Sequence, residues 1–493
     1  MTLKEEFEAY NSRGIYPFHM PGHKRNEALL RSLGAMGNES SYSRDYTETE
    51  GLDNLYTASG ILRVSMDKAA RLFGSDICWF LVNGSTCGLL TGIFSLLGQG
   101  ETALIARNCH KAVYNALFLR GAKTEYLMPP VDPSTGIYGS IRPEDVEEAL
   151  SRHPDIRLVA ITSPTYEGVV SNAASIARIC HNRGIPLLAD EAHGSHMRFS
   201  SFFPESAVEA GADIVIHSVH KTLPSVTQTA LLHINTKSGL VSPEVVRRYL
   251  TSFQTSSPSY IFMESIDACR HILEHHPELF SVYEERLSLF SERMKRLKRL
   301  SVVIKGTDTI ESHPVFYAYD GGKIVISTKG TPLTGRDLEL LLLRKYGLQL
   351  EMSSLTYAIA MTSICDTEEG FRRLGDALLA IDATIPAPGG EKLQAQPLIP
   401  PSLPLPKIFC SFSEAETLPG EYVKLEHAAG RVMKEFVIPY PPGIPVLAPG
   451  EVVSAEAISF LQKGIRAGLE IQCGSGVLKS PEGLIFTAGS KIS

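Results

Sequence analysis

A lysine and an aspartate, 31 residues apart, each follow a short apolar segment of the chain. Asp190 ends the segment Pro186-Leu187-Leu188-Ala189, and Lys221 follows Ile214-Val215-Ile216. A partly buried lysine has a lowered pKa and supplies the neutral amine that condenses with an aldehyde. A buried carboxylate can keep a ring nitrogen protonated through a charge-assisted hydrogen bond of about 1.5–3 kcal/mol. The pair therefore predicts a covalently held heterocyclic cofactor that accepts electrons.

Hydroxyl and imidazole groups close to these residues provide candidate phosphate ligands. Ser85 and Thr86 follow an apolar segment at 78–82 and precede an apolar helix predicted at 87–97. Backbone N–H groups and hydroxyls at a helix start bind phosphate, and the helix dipole adds to the attraction. Ser218 and His220, next to Lys221, are further candidates. The alternative is that Ser85 and Thr86 only cap the helix, but their place at a strand end favours phosphate.

His110 follows the second predicted strand, at 102–106. A flat ring at this place can stack on the face of a cofactor, whereas an isolated histidine is otherwise a surface or core residue. An amine, a carboxylate, a phosphate cradle and an aromatic ring are together what pyridoxal 5′-phosphate requires. We therefore predict that the chain is an enzyme with this cofactor on Lys221.

The run Asp190-Glu191-Ala192-His193-Gly194 allows two interpretations. An Asp-x-x-His pattern can bind a metal ion, but no zinc-type spacing supplies further ligands, so we predict no metal site. We expect instead that His193 contacts the substrate carboxylate or assists proton transfer.

The elements that position these residues are apolar strands separated by helices. Strands are predicted at 78–82, 102–106, 124–127, 158–162, 186–190 and 214–216. Such strands, buried on both faces, indicate a mostly parallel sheet covered by helices. Ligands bind beyond the carboxyl ends of the strands in sheets of this kind, and the candidate residues are found there.

The length of 493 residues predicts more than one domain. We expect an N-terminal arm at 1–60, a large cofactor-binding domain at 61–300, a small α+β domain at 301–385, a proline-rich linker at 386–406 and a C-terminal α+β domain at 407–493.

The composition of the chain limits the kinds of molecule that it is expected to bind. The net charge of -7 provides no overall basic field for nucleic acid or anionic lipid, and no apolar run approaches the length of about 20 residues that spans a bilayer. The charged start lacks a signal-peptide core, so a cytoplasmic protein that acts on a small molecule is expected. The eight cysteines form no Cys-x-x-Cys pair and are expected to be reduced and mostly buried.

Motifs along most of the chain resemble those of the Orn/Lys/Arg decarboxylases, the group III, fold type I enzymes that depend on pyridoxal phosphate. The matching segments are Pro21-Gly22-His23-Lys24, Arg107-Asn108-Cys109-His110-Lys111, Pro164-Thr165-Tyr166-Glu167-Gly168, Asp190-Glu191-Ala192-His193-Gly194-Ser195-His196, Ser218-Val219-His220-Lys221, Thr255-Ser256-Ser257-Pro258-Ser259-Tyr260, and Tyr440-Pro441-Pro442-Gly443-Ile444-Pro445 with Pro449-Gly450-Glu451.

The resemblance implies a seven-stranded, mostly parallel sheet and a homodimer or larger homo-oligomer with shared active sites. It further implies that Thr255 or Ser256 reaches the neighbouring subunit's cofactor and that Glu451 receives the cationic end of the substrate. There is no room before Pro21 for the N-terminal wing domain of larger members, so a short form is expected. The implied reaction is decarboxylation of a basic L-amino acid, with arginine favoured and lysine or ornithine possible.

Two alternatives stay open at this point. An aminotransferase or lyase of the same fold would use similar residues, although aminotransferases commonly bind the substrate carboxylate with an arginine and the segment 357–363 contains none. A non-catalytic protein that binds the cofactor is the second.

Overall fold

The large domain is built around a seven-stranded sheet. In chain order its strands are β1 Ile77–Leu81, β2 Thr102–Ala106, β3 Lys123–Leu127, β4 Ile156–Thr162, β5 Leu187–Asp190, β6 Ile214–His217 and β7 Ala230–Ile234. The computed structural model describes residues 2–37, 41–49, 51–303, 307–386, 405–440, 443–474 and 476–491.

The order of the strands across the sheet is β1-β7-β6-β5-β4-β2-β3. Strand β7 is antiparallel to both neighbours, whereas the pairs among β2 to β6 are parallel. The predicted seven-stranded, mostly parallel sheet is therefore confirmed. Because β1 to β6 run in one direction, their carboxyl ends meet at one edge.

Helices connect the strands of this sheet and pack against them. Those of the large domain are Ile61–Phe73, Gly84–Leu96, Lys111–Arg120, Pro143–Arg152, Ala173–His181, Val219–Thr222, Pro243–Phe253, Tyr260–His275 and Glu278–Met294. Helix Gly84–Leu96 lies against the sheet through glycines, since a Cβ on Gly88 would lie 2.7 Å from Leu81 Cδ1 and one on Gly92 would lie 2.6 Å from Leu188 Cδ1. Larger residues there would push the helix and its N-terminus away from the strand ends.

The small domain contains an antiparallel sheet in the order Ser301–Val303, Lys323–Ser327, Tyr357–Met361, Met352–Ser353. Its helices are Thr307–Ser312, Gly335–Tyr346 and Glu368–Thr384. A two-stranded antiparallel pair, Val169–Val170 with Ala318–Tyr319, links it to the large domain.

The C-terminal unit has its own hydrophobic core and two three-stranded sheets. Their strands are Gly420–Lys424, Arg431–Met433 and Leu484–Lys491 in one and Ile438–Pro439, Ile471–Cys473 and Gly476–Leu478 in the other. Helices Phe412–Thr417 and Ala455–Arg466 belong to this unit. Most of the predicted linker, at 387–404, and Pro441 and Pro442 lie outside the described residues.

Within the described ranges, no helix combines the length and apolar character needed to cross a membrane. All eight cysteines fall within those ranges and are free thiols, six of them buried.

The N-terminal arm, with helices Leu3–Ser12 and Glu27–Ser32, joins the small domain to the segment that carries Lys221. Its strand Tyr16–Phe18 pairs in parallel with Leu348–Leu350. The backbone N–H of Gly22 donates to the carbonyl of His220 over 2.7 Å, and Ser363 Oγ donates to the carbonyl of Gly22 over 2.5 Å. The arm therefore contacts the residue next to Lys221.

We predict that Gly22→Ala displaces the arm, because an added Cβ would lie 2.6 Å from the carbonyl oxygen of Leu223. Overpacking against backbone destabilises a protein by about 1–3 kcal/mol, so a lower unfolding temperature and weaker cofactor retention are expected. Thermal unfolding and cofactor absorbance measure both effects. Gly489→Ala is the matched control, since the nearest atom to its added Cβ is 3.8 Å away. Equal losses in the two variants would contradict the prediction.

Candidate active site

The carboxyl edge of the sheet brings the amine and the carboxylate together. Asp190 is the last residue of β5, and Lys221 lies in the short helix Val219–Thr222 that follows β6, the neighbouring strand. Lys221 Nζ is 2.9 Å from His193 Nε2. Burial lowers the pKa of Lys221, while the carboxylates of Asp190 and Glu351 oppose that shift. The arrangement therefore favours the neutral, nucleophilic amine.

Asp190 is only 4% exposed. Its carboxylate accepts a hydrogen bond from the backbone N–H of Ala192 over 3.2 Å. Burial raises the pKa of Asp190, and the nearby charge of Lys221 lowers it. The carboxylate forms no ion pair of 4 Å or less with any other described residue, so a cationic group on a ligand would supply the missing counter-charge.

Two of the predicted phosphate ligands contact each other. Ser85 Oγ and Ser218 Oγ are 2.5 Å apart at the N-terminus of helix Gly84–Leu96. Thr86 lies in the same first turn, where it is exposed. Hydroxyls that follow β1 and β6 thus meet at a helix start, as a phosphate cradle requires.

His220 is less suited to the predicted role. Its Nδ1–H donates to the carbonyl of Thr229 over 2.7 Å, because a carbonyl oxygen can only accept. Burial lowers the pKa of His220 to about 4. The neutral ring then carries a lone pair on Nε2 and donates to a phosphate only after taking up a second proton, which a phosphate dianion at this place would favour.

His110 is the N-cap of helix Lys111–Arg120, and its Nδ1 accepts from the backbone N–H of Ala112 over 3.2 Å. Burial, with the charges of Lys221 and Lys111, lowers the pKa of His110 to about 3. A Cβ on Gly443 would lie 3.1 Å from the His110 ring, so the C-terminal unit packs on this histidine. The result is a neutral aromatic ring close to Lys221.

His193 contacts both the amine and an aromatic ring. The centroids of His193 and Tyr166 are 4.6 Å apart. Burial and the charges of Lys221 and Lys323 lower the pKa of His193 well below its usual range. Its Nδ1 is buried without a hydrogen-bond partner among the described residues. A neutral imidazole beside Lys221 can relay a proton to or from that amine.

Thr255 and Ser256 are exposed just after helix Pro243–Phe253. The Tyr56 hydroxyl donates to the carbonyl of Thr255. The structure places neither side chain in hydrogen-bond contact with the described Lys221 site of the same chain. Their predicted role toward a neighbouring subunit stays a prediction.

Glu451, whose predicted contact with the substrate cation stays a prediction, is bound to other residues of the chain in the structure. This residue is 1% exposed and accepts hydrogen bonds from Arg107 Nη2 at 3.2 Å, the Tyr126 hydroxyl at 2.8 Å and the backbone N–H of Ala448 at 2.8 Å. Its charge is neutralised by Arg107, so a substrate cation would have to break a buried ion pair.

Glu351 is a site residue that the sequence motifs do not single out. Its Oε1 accepts from the Tyr166 hydroxyl over 2.5 Å and its Oε2 accepts from the backbone N–H of Met20 over 2.8 Å. It is partly exposed, and its charge raises the pKa of Lys221. Tyr166 belongs to one of the family-like motifs and Met20 directly precedes another, so both motifs meet at this carboxylate. The sequence alone does not reveal this contact, because the three segments are far apart in the chain.

Glu191, next to Asp190, has a structural role. It accepts from Ser206 Oγ at 2.6 Å and from the backbone N–H of Ala207 at 2.8 Å, and its Oε2 is 2.7 Å from His217 Nε2. Burial raises the pKa of Glu191 to about 8 and lowers that of His217 to about 3. A neutral carboxyl and a neutral imidazole thus share one proton and link β5 to β6 at the level of the site.

We predict that Glu191→Gln changes how stability depends on pH. The pKa in the folded chain exceeds the unfolded value of about 4.3, so the contribution of the protonated carboxyl is full below about pH 4 and is lost as the pH rises toward 8. The amide of the variant has no proton to lose in this range. Relative to the wild type, the variant should therefore gain stability from pH 5 to 8, by at most about 1.4 kcal/mol per pH unit.

Thermal unfolding at several pH values measures this difference. Glu205→Gln, at an exposed position nearby, is the control and should follow the wild type. Parallel curves for Glu191→Gln and the wild type would contradict the shared-proton arrangement.

Known proteins match this chain along most of its length. The family model for the Orn/Lys/Arg decarboxylase major domain matches residues 3–320, and that for the C-terminal domain matches residues 411–467. An arginine decarboxylase of Bacillus subtilis (strain 168) is 34% identical over 461 residues, which cover 94% of this chain and 93% of the relative. The lysine decarboxylase LdcA of Pseudomonas aeruginosa is 24% identical and covers 92% of this chain and 74% of its own.

Solved structures share the fold. The lysine decarboxylase LdcF of Francisella novicida has a TM-score of 0.74 at 17% identity and covers 95% of this chain and 81% of its own. The constitutive lysine decarboxylase of Escherichia coli has a TM-score of 0.71 at 19% identity, with 94% and 77% covered. The predicted fold type I architecture with a C-terminal domain is therefore confirmed.

Proposed function

Since the chain belongs to the Orn/Lys/Arg decarboxylase family and is an amino-acid decarboxylase, we propose that its substrate is a basic L-amino acid, with arginine favoured over lysine and ornithine, and its cofactor pyridoxal 5′-phosphate. The observation that carries this proposal is the buried amine of Lys221, with its lowered pKa, at the strand edge that also carries the buried carboxyl group of Asp190. Arginine is favoured because relatives at 32–34% identity are named arginine decarboxylases, whereas a lysine decarboxylase is 24% identical.

The residues at the strand ends fit the cofactor. Lys221 would hold it covalently, and Asp190, which forms no ion pair within 4 Å with a described residue, would receive the protonated ring nitrogen. His110 would lie on the ring face, and the paired hydroxyls of Ser85 and Ser218 would bind the phosphate. When bound, this cofactor takes up the electron pair that remains as the bond between Cα and the carboxylate breaks.

Further phosphate contacts belong to the same proposal. Thr86 lies in the first turn of the same helix, and His220 would contribute once protonated. Thr255 and Ser256, which are exposed, would reach the cofactor of a second subunit in a homodimer or larger homo-oligomer with shared sites. We also propose that the protein works in the cytoplasm.

Side chains of the site would orient the substrate and return its proton. Glu351 would pair with the guanidinium or ammonium group, since it is the partly exposed carboxylate whose charge acts on Lys221. Loss of CO₂ leaves Cα one proton short, and Lys221 or His193, which are 2.9 Å apart, would deliver that proton. The products are CO₂ and the amine.

The charges around Lys221 favour decarboxylation over transamination. The small-domain strand Tyr357–Met361 carries no arginine, and one cation that acts on Lys221 is Lys323. Lys323 is fully buried, where it is bound to Asp320 and to the carbonyl of His193. A weakly held substrate carboxylate suits its release, whereas an aminotransferase commonly fixes this group with an arginine.

We expect CO₂ release to be fastest with arginine among arginine, lysine and ornithine. Lys221→Ala should release no CO₂ and should show no cofactor attached after borohydride treatment, because the attaching amine is absent. Asp190→Asn should keep the cofactor and lose about 10–150-fold in kcat, which corresponds to one charge-assisted hydrogen bond of about 1.5–3 kcal/mol.

Radiolabelled CO₂ and intact-protein mass spectrometry provide the measurements. Lys237→Ala, at an exposed lysine, should behave as the wild type. A cofactor-loaded protein that releases no CO₂ from any of the three amino acids, or an active Lys221→Ala, would contradict the proposal.

A separate variant tests the residue proposed to hold the substrate cation. Glu351→Gln should raise KM for arginine about 10–150-fold, since a charge-assisted hydrogen bond of about 1.5–3 kcal/mol is lost. Turnover of norleucine, which has no side-chain charge, should change little. Glu368→Gln, at an exposed glutamate of the same domain, is the control. Equal effects on arginine and norleucine would assign Glu351 a structural role instead.

A further inference from the structure

One cavity of the structure is lined by residues other than those proposed to bind the cofactor. It has a volume of about 360 Å³ and lies between the large-domain segment 128–138, the small-domain segment 352–357 and C-terminal residues at 405–407, 439 and 444–469. Lys221, Asp190, His110 and His193 do not line it. Ligand pockets for small organic molecules are commonly of about 300–1,000 Å³, so this cavity can hold one such molecule.

Most of the cavity wall is apolar, with Met352, Ile444, Leu447, Phe460 and Leu469 among the residues that form it. An aliphatic chain would replace water on these surfaces, which is favourable. The cavity therefore suits a ligand with a hydrocarbon segment.

A buried carboxylate also lines the cavity. Glu167 is 5% exposed and its Oε1 accepts a hydrogen bond from the Tyr357 hydroxyl over 2.8 Å. It forms no ion pair of 4 Å or less with any residue in the described part of the chain. Burial raises the pKa of Glu167, with no cation among the groups that act on it. An ionised carboxylate in this position lacks a counter-charge, which is costly in a protein interior.

Three cations in the described part of the chain, Arg107, Lys329 and Lys407, line the cavity, and none forms an ion pair with Glu167 within 4 Å. Arg107 is bound to Glu451 over 3.2 Å and to the carbonyls of Pro445 and Val446 over 2.7 and 3.1 Å. Lys329 donates to the carbonyl of Pro133. Arg107 and Lys329 are occupied and Lys407 is exposed to solvent, so a cation in close contact with Glu167 would come from a ligand.

Aromatic rings add to this preference. Tyr138 and Tyr357 line the same cavity as Glu167, and the charge of Glu167 acts on both hydroxyls. The faces of aromatic rings attract ammonium and guanidinium groups within about 6 Å. A carboxylate, two tyrosines and an apolar wall together suit a ligand that has a cationic group and a hydrocarbon chain.

We propose that this cavity binds a small aliphatic amine or guanidine as a cation, with its charged end at Glu167 and its hydrocarbon chain on the apolar wall. This ligand class is that of the amine formed in the proposed reaction, and this link alone rests on the proposed function. Glu167 is the chain neighbour of Tyr166, which contacts both His193 and Glu351. The cavity and the active site thus share one loop.

Binding of a matched pair of probes to the cofactor-loaded enzyme tests the proposal. Butylguanidinium is a cation, and butylurea is its neutral counterpart of the same shape. Calorimetric titration should show two butylguanidinium ions per chain in the wild type, one in Glu351→Gln and one in Glu167→Gln. The affinity of the cavity for butylguanidinium should fall about 10–100-fold in Glu167→Gln, as expected for one lost charged hydrogen bond. Butylurea should bind neither site with comparable affinity.

Two further measurements separate binding from folding. The amide introduced by Glu167→Gln keeps an oxygen that accepts from the Tyr357 hydroxyl, so the unfolding temperature of this variant without ligand should stay close to that of the wild type. Val452→Trp, at a partly exposed residue of the cavity wall, should remove the same binding event by filling the space.

If Glu167→Gln and Val452→Trp both bind butylguanidinium with the affinity and stoichiometry of the wild type, the proposal is wrong. It is also wrong if butylurea binds the wild type as tightly as butylguanidinium does. CO₂ release is measured separately. A protein that releases no CO₂ but loses one butylguanidinium ion on Glu167→Gln would contradict the proposed function and leave this site in place.

Discussion

The site depends on burying a lysine and an aspartate at the same edge of a parallel sheet. Neither charge is well solvated there: burial lowers the pKa of Lys221 and raises that of Asp190, and their mutual attraction opposes both shifts. Parallel strands β5 and β6 make this possible, because they bring residues 31 positions apart to adjacent strand ends. The amine stays reactive because the protein does not neutralise it with a close carboxylate.

Burial also lowers the pKa values of the histidines around this pair. The pKa values of His110 and His220 fall to about 3 and about 4, and that of His193 falls well below its usual range. Cationic lysines nearby strengthen these shifts. His110 and His193 are therefore neutral across the physiological pH range, and we propose that they serve as an aromatic surface and a proton relay without adding positive charge beside the amine of Lys221.

Apolar periodicity and strand-end motifs predict much of this structure. The six predicted strands agree with the observed bounds within two residues, because buried parallel strands are continuous apolar runs. Strand β7, at Ala230–Ile234, is missed, although its sequence is as apolar as the others. Local patterns single out Lys221, Asp190, His193 and His110, and the fold brings these four residues close together.

Contacts between distant segments account for what the sequence does not reveal. Glu351 follows a short strand without a recognisable motif, and only folding brings Tyr166 and Met20 to its two oxygens. Glu451 looks like a free carboxylate in the sequence, and the burial of Arg107 against it is equally non-local. The N-terminal arm ties two parts of the enzyme together: Tyr16–Phe18 is hydrogen-bonded to the small domain, and Gly22 is hydrogen-bonded to the residue before Lys221. Any displacement of the small domain would therefore be transmitted through the arm to the backbone beside Lys221.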